Sequence, residues 1–177
     1  MSASVVTGEE LIPYTFATWV FLLHVDGVVA ADEAVAGACA QVLAAEEEEQ
    51  GNAAGEALVE RVKALIGDAS PTSIAAAAGK LYGARASGTL GQGPRQERTA
   101  RIRKYQFEHQ LPWLARIWER TEAGEVAPSW LLVERVTDVV RAADPNPWND
   151  IDEARVVPID DFQVLWELDG CTSVHLA

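Results

Sequence analysis

The chain has 177 residues, 49% of them hydrophobic, with 27 acidic against 14 basic side chains and a net charge of −13. That length and apolar content fit one domain with an ordinary buried core and exclude a disordered chain. The negative balance opposes nucleic-acid binding and attachment to anionic membranes, which need a positive field, and suits docking on a basic partner.

Two cysteines, Cys39 and Cys171, are too few for a secreted disulfide scaffold, and a reducing cytoplasm is expected. The opening "MSASVVTGEE" has no basic segment ahead of an apolar one, so a signal peptide is not expected. The most apolar stretch, "YTFATWVFLL" from Tyr14 to Leu23, is too short for a bilayer and reads as a buried helix.

In chain order, Phe16, Trp19, Val20 and Leu23 recur at helical spacing after Pro13, up to a turn at Asp26-Gly27. Val35, Cys39, Val42 and Leu43 form the stripe of a second helix. Asp32 and Glu33 favour its N-terminal dipole, whereas Glu46 to Glu49 oppose its C-terminal one and read as a solvated end. A third helix carries Leu58, Val62, Leu65 and Ile66 on one face and stops at Gly67. Ser70-Pro71, a cap followed by a first-turn proline, opens a fourth helix that runs to Gly83.

The loop "GARASGTLGQGP" leads into a basic helix, "RQERTARIRKYQFEHQ". "LPWLARIWER" suits a helix or a short strand. Beyond Gly124, "WLLVERV" and "VVRAA" read as strands joined at Thr137-Asp138, and "RVVPI" as a third. Asp160 or Asp161 is expected to cap a short helix bearing Phe162, Leu165 and Trp166, and "TSVHL" is a last strand. Helices first and a mostly antiparallel sheet afterwards make an α+β fold in a single domain, with a helical part over about 8–123 and a β-rich part over about 124–177.

From about Ser70 onward, "SPTSIAAAAGKLYGARASG", "LPWLARIW", "SWLLVERV", "AADPNPW" and "VVPIDDFQVLWE" resemble the papain-like peptidases that trim double-glycine leader peptides. The resemblance implies a papain-like tilt to the sheet half. It makes Asp144 the counterpart of the Asp that orients a catalytic histidine, and it matches Phe162 and Trp166 to a late helix. The histidine position falls on Ser129, so the general base is missing. Glu33 stands nearest to the family's oxyanion-binding glutamine, and a carboxylate there repels an oxyanion. Cys39, the candidate nucleophile, sits mid-helix on an apolar stripe, where a thiol is commonly inert packing. The stretch "LLHVDGVVAADEA" is similar to the start of tellurite-resistance TerB-like domains, and no residue role is taken from it.

His24, His109 and His175 read as surface or satisfied core residues. No metal-ligand spacing such as HExxH occurs, "GTLGQG" lacks the Lys-Ser or Lys-Thr of a phosphate loop, and no cofactor is expected. The oxygen-rich loop from Asp144 to Glu153 departs from a calcium loop at Pro147 and Trp148. Arg98 and Arg101 share a face at i, i+3 and could bind an anion or an acidic peptide; alternatively the basic helix pairs with acidic segments such as Glu46 to Glu49.

The expectation is a non-catalytic domain that binds a protein or peptide in a groove between the helical half and the sheet. Trp130, Trp148 and Asn146 would stand at that groove, close to Asp144. Two other readings stand beside it. One is an active cysteine hydrolase using Cys39 and Asp144 as catalytic residues. The other is an acidic immunity- or inhibitor-type protein that neutralises a basic partner.

Overall fold

The computed structural model describes residues 8–120, 123–145, 147 and 154–177. Four helices come first: α1 (Gly8–Val25), α2 (Glu33–Ala44), α3 (Glu48–Ile66) and α4 (Pro71–Tyr82). A short 3-10 turn leads to β1 (Ala86–Ser87), and the basic helix α5 (Arg95–His109) follows. The remainder is β2 (Trp113–Arg120), β3 (Val126–Val136), β4 (Val139–Ala142), β5 (Arg155–Pro158), α6 (Ile159–Glu167) and β6 (Ser173–Leu176). The fold is α+β: helices, then an antiparallel six-stranded sheet in the order β1-β6-β2-β3-β4-β5.

The helix boundaries follow local chemistry. Asp32 caps α2 by accepting from the N–H groups of Ala34 and Val35, and Ser70 caps α4 by accepting from Ser73, with Pro71 in the first turn. Glu48 and Glu49 occupy the first turn of α3, where carboxylates favour the helix dipole. The acidic run therefore starts a helix instead of fraying the end of α2. Helix α6 begins at Ile159 after Pro158, with Asp160 and Asp161 already inside its first turn and no side-chain cap. The two aspartates act on its dipole, not as the expected cap.

Alternation along the strands splits the core into two clusters, one on each face of the sheet. Leu114, Trp130, Leu132, Val174 and Leu176 face α1 to α4 and pack with Phe16, Trp19, Leu58, Ile74 and Leu81. Trp113, Ala115, Ile117, Leu131 and Val133 face the other way, packing with Ile102 and Tyr105 of α5 and with Phe162 and Trp166 of α6. The sheet thus lies between two helical layers. "LPWLARIWER" forms the strand β2, so the sheet begins before Gly124 and the expected boundary falls inside the β2–β3 hairpin. Because β2 is covered on both faces, its apolar residues run almost continuously and imitate a helix.

No helix among the described residues is long and apolar enough to cross a membrane.

Candidate functional site

The strand ladders show where the described pairing of β3 with β4 ends. Arg116 of β2 donates its backbone N–H to Thr172, on the β6 side, at 3.0 Å. Backbone groups alternate in direction along a strand, so the residue opposite Arg116 on β3, Trp130, turns its N–H and C=O away from β2. Leu132 has the same parity, and its carbonyl accepts from Ala143 at 2.9 Å, at the end of β4. Ala142 is the last residue of β4, opposite Val133 on one side and Arg155 on the other. Past Ala143 the chain turns toward α1, where the hydroxyl of Thr18 donates to the Pro145 carbonyl at 2.8 Å. All four residues of β5 pair with β4, and residues 146 and 148–153, which connect the two strands, lie outside the described residues.

A cavity of about 350 Å³ opens beside the end of β4. Leu11 and Thr15 of α1 close one side. Ser129, Trp130, Leu131 and Leu132 of β3 line it, with Glu119 of β2, Ala143, Pro145, Ala154 and Arg155 of β5. Arg155 donates to Glu119 at 2.8 Å across it. Trp130 is 5% exposed, and its indole Nε1 has no hydrogen-bond partner among the described residues. A second cavity, about 370 Å³ between α2 and α3, is lined by four alanines and two glutamines and has no such group.

The residues named from the sequence fall in different places. Trp130 and Ser129 line the cavity. Asp144 is half-buried and lies between Ala143 and Pro145, which also line it. Asn146 and Trp148 lie outside the described residues. Cys39 is buried in the helical cluster beneath α1, and burial pushes its thiol up to about 11, so it is protonated at neutral pH. His175 is buried on the opposite flank of the sheet: its Nε2 lies 3.3 Å from the Thr89 hydroxyl and its ring meets Tyr105 edge-on. His109 stacks on the same Tyr105. Among the described residues, no group of three or more His, Cys, Asp and Glu side chains could hold a metal ion.

Arg98 and Arg101 both turn inward. Arg98 is 7% exposed, and its guanidinium bonds Glu167, the Gln163 side chain at 3.2 Å and the Gly93 carbonyl at 2.7 Å. Arg101 donates to the carbonyls of Leu90 and Gln92, and Arg95 makes a two-point contact with Glu167 at 2.6 and 2.8 Å. The basic helix therefore pairs internally, with α6, the preceding loop and the turn at Thr137-Asp138. Its arginines fix α5 against α6 on the far face from the cavity.

Sequence reasoning missed Leu11, Thr15, Thr18, Glu119 and Arg155. The threonines leave a trace, since two hydroxyls three residues apart interrupt an otherwise apolar helix. Glu119 and Arg155 leave none, because their pairing depends on how the strands are ordered. Comparison of the chain with protein-family models, curated proteins and solved structures finds no match.

Proposed function

We propose that this chain is a non-catalytic binding domain for a protein or peptide, of degenerate papain-like type, with its site at the cavity beside Trp130. The observation that carries this reading is the cavity against Trp130: a concave site with an aromatic wall, one charged pair and a buried indole donor that has no acceptor among the described residues. A net charge of −13 favours a basic partner. The character of Cys39 supports a non-catalytic role, because a thiol held protonated by apolar surroundings is a poor nucleophile.

The test is selection of a displayed library of short Lys- and Arg-containing peptides against the full chain. Enriched peptides should bind the Cys39→Ala chain as tightly as the wild type and lose binding to Leu11→Trp, which fills the cavity. Failure to enrich any peptide refutes the reading. Labelling of native Cys39 by an electrophilic thiol probe, with loss of peptide turnover in Cys39→Ala, would replace it with the hydrolase.

A further inference from the structure

On the flank away from the cavity, the sheet ends in its shortest strand. Ala86 and Ser87 of β1 pair with Leu176 and His175 of β6, and the Ala177 N–H extends that ladder to the Arg85 carbonyl at 2.8 Å. Strand β2, the other neighbour of β6, is itself paired with β3 along its whole length, whereas β1 is an outer strand with β6 alone beside it. The segment carrying β1 is bounded by Gly83, at a φ of +63°, and by Leu90, which is buried and accepts from Arg101. Residues 83–89 can therefore move as a short flap between two fixed ends.

His175 lies beneath this flap, 6% exposed. Its Nδ1 faces the Leu176 carbonyl at 3.4 Å, which can only accept, so the neutral ring keeps its proton there and Nε2 accepts from the Thr89 hydroxyl at 3.3 Å. On the flap, Arg85 donates to the Ala177 carbonyl, and the Ser87 hydroxyl lies 3.3 Å from that of Thr89. From α5, Tyr105 meets the ring edge-on at 5.0 Å, and His109 stacks on Tyr105 at 4.8 Å. On the other face of β6, α4 lies in the apolar cluster with Val174 and Leu176, and its ionisable Tyr82 meets Trp19 edge-on. Among the described residues, no carboxylate bonds the ring, and its charged neighbours in acid, His109 and Arg85, are cations. An imidazolium here is a buried charge without a counter-ion, which low-dielectric surroundings strongly disfavour.

We infer that His175 is the latch of an acid-operated edge: protonating its ring frees residues 83–89 from β6 and makes β6 the outer strand of the sheet. Lifting the flap hydrates the imidazolium while β6 stays on β2, and while Tyr105 keeps its 2.7 Å bond to the Leu176 carbonyl. The backbone edge uncovered this way is a template for another strand. Burial holds the pKa of the closed form below 6.5, so the open form binds the proton more readily. Opening therefore grows as pH falls from about 6.5 toward that lowered value, and it is absent above.

Native-state hydrogen exchange of the full chain, followed by NMR between pH 7 and pH 5 and corrected for intrinsic rates, tests the latch. The Ala177 amide reports on the flap, and the Arg116 amide, bonded to the Thr172 carbonyl, reports on the β2 side of the same connection. Protection at Ala177 should fall about tenfold toward pH 5 while that at Arg116 holds. His175→Gln should abolish the fall. His109→Gln, at an exposed position, should shrink it, because the closed imidazolium then loses a repelling neighbour. An equal fall at Ala177 and Arg116 would mean that the whole domain loosens, and it overturns the latch. A fall at Ala177 that persists unchanged in His175→Gln overturns it as well.

Discussion

Thr18 on the first helix and Pro145 beyond the fourth strand are joined by a 2.8 Å hydrogen bond across 127 residues of sequence. The Thr18 hydroxyl is buried, and it holds the chain on α1 at the point where β4 has parted from β3. The bond therefore ties Pro145, which lines the cavity, to α1. Thr18→Val retains the shape and removes the donor, leaving the Pro145 carbonyl without that partner. A loss of about 1–2 kcal/mol in urea unfolding is expected. Hydrogen exchange should rise at Ala143, whose N–H makes the last bond of the β4 edge.

Arg98 and Glu167 predict a different kind of loss. Arg98 is enclosed between α5 and α6, and Glu167 is partly open to solvent. Replacing Glu167 by Gln leaves a buried guanidinium with weaker compensation, whereas Arg98→Met removes the charge together with its cost of burial. Glu167→Gln should therefore destabilise at least as much as Arg98→Met, each by about 1–3 kcal/mol after allowing for the screening of Glu167. Denaturant midpoints of the two variants and the double variant provide the cycle. The Arg95 contact holds the Glu167 carboxyl below its usual 4.5, so this stability is present above that pH and is lost as pH falls through the lowered value.

His175 contributes at milder acidity. Burial in β6 lowers its pKa from 6.5, with His109 acting in the same direction and the Leu176 carbonyl opposing. The unfolded chain then binds a proton more readily than the folded one. Stability is full above about pH 6.5 and falls as pH drops from there toward the lowered folded value. Urea midpoints should decline across that interval, and the decline should shrink in His175→Gln. If both chains follow the same profile, another group governs that interval.

Two glycines should respond in opposite ways to the same change. A Cβ on Gly91 would lie 1.9 Å from the Cys171 carbonyl oxygen, so the loop before α5 and the turn before β6 approach too closely for any side chain. Gly91→Ala should cost more than about 2 kcal/mol, since backbone must move. Gly37 lies mid-helix in α2 with open space around its missing side chain. Gly37→Ala should raise stability by about 0.5–1 kcal/mol. Thermal unfolding of both variants is a direct comparison.

Much of the fold was legible wherever local chemistry decides it. Ser70-Pro71 announces α4, Gly67 closes α3, and Thr137-Asp138 marks the β3–β4 turn. The misjudged places are those where tertiary neighbours decide. Strand β2 looked ambiguous because it is covered on both faces, and the Glu46 to Glu49 run was attached to the wrong helix because α2 and α3 adjoin closely. Trp130 was visible as an aromatic in a strand. Its place on a cavity wall was not, because that depends on where β4 stops and on a threonine far earlier in the chain. The same holds for Arg98: its spacing from Arg101 is in the sequence, but the inward direction of both is set by the packing of α5 beside α6.

The order of the strands governs how the molecule can assemble as it is made. Strand β6 lies between β1 and β2, and the helices α1 to α4 bury their apolar faces against β2, β3 and β6. A ribosome therefore releases the whole first helical layer before the surface that covers it exists. Phe16 and Trp19 must wait, partly uncovered, until Trp130 and Val174, more than a hundred positions later, emerge to join them. Strands β2 to β5 can pair as a meander from neighbouring sequence, but β6 closes the sheet last and from a distance. The nascent chain thus passes through a stage in which its earliest helices are the most exposed to holdase chaperones and to aggregation.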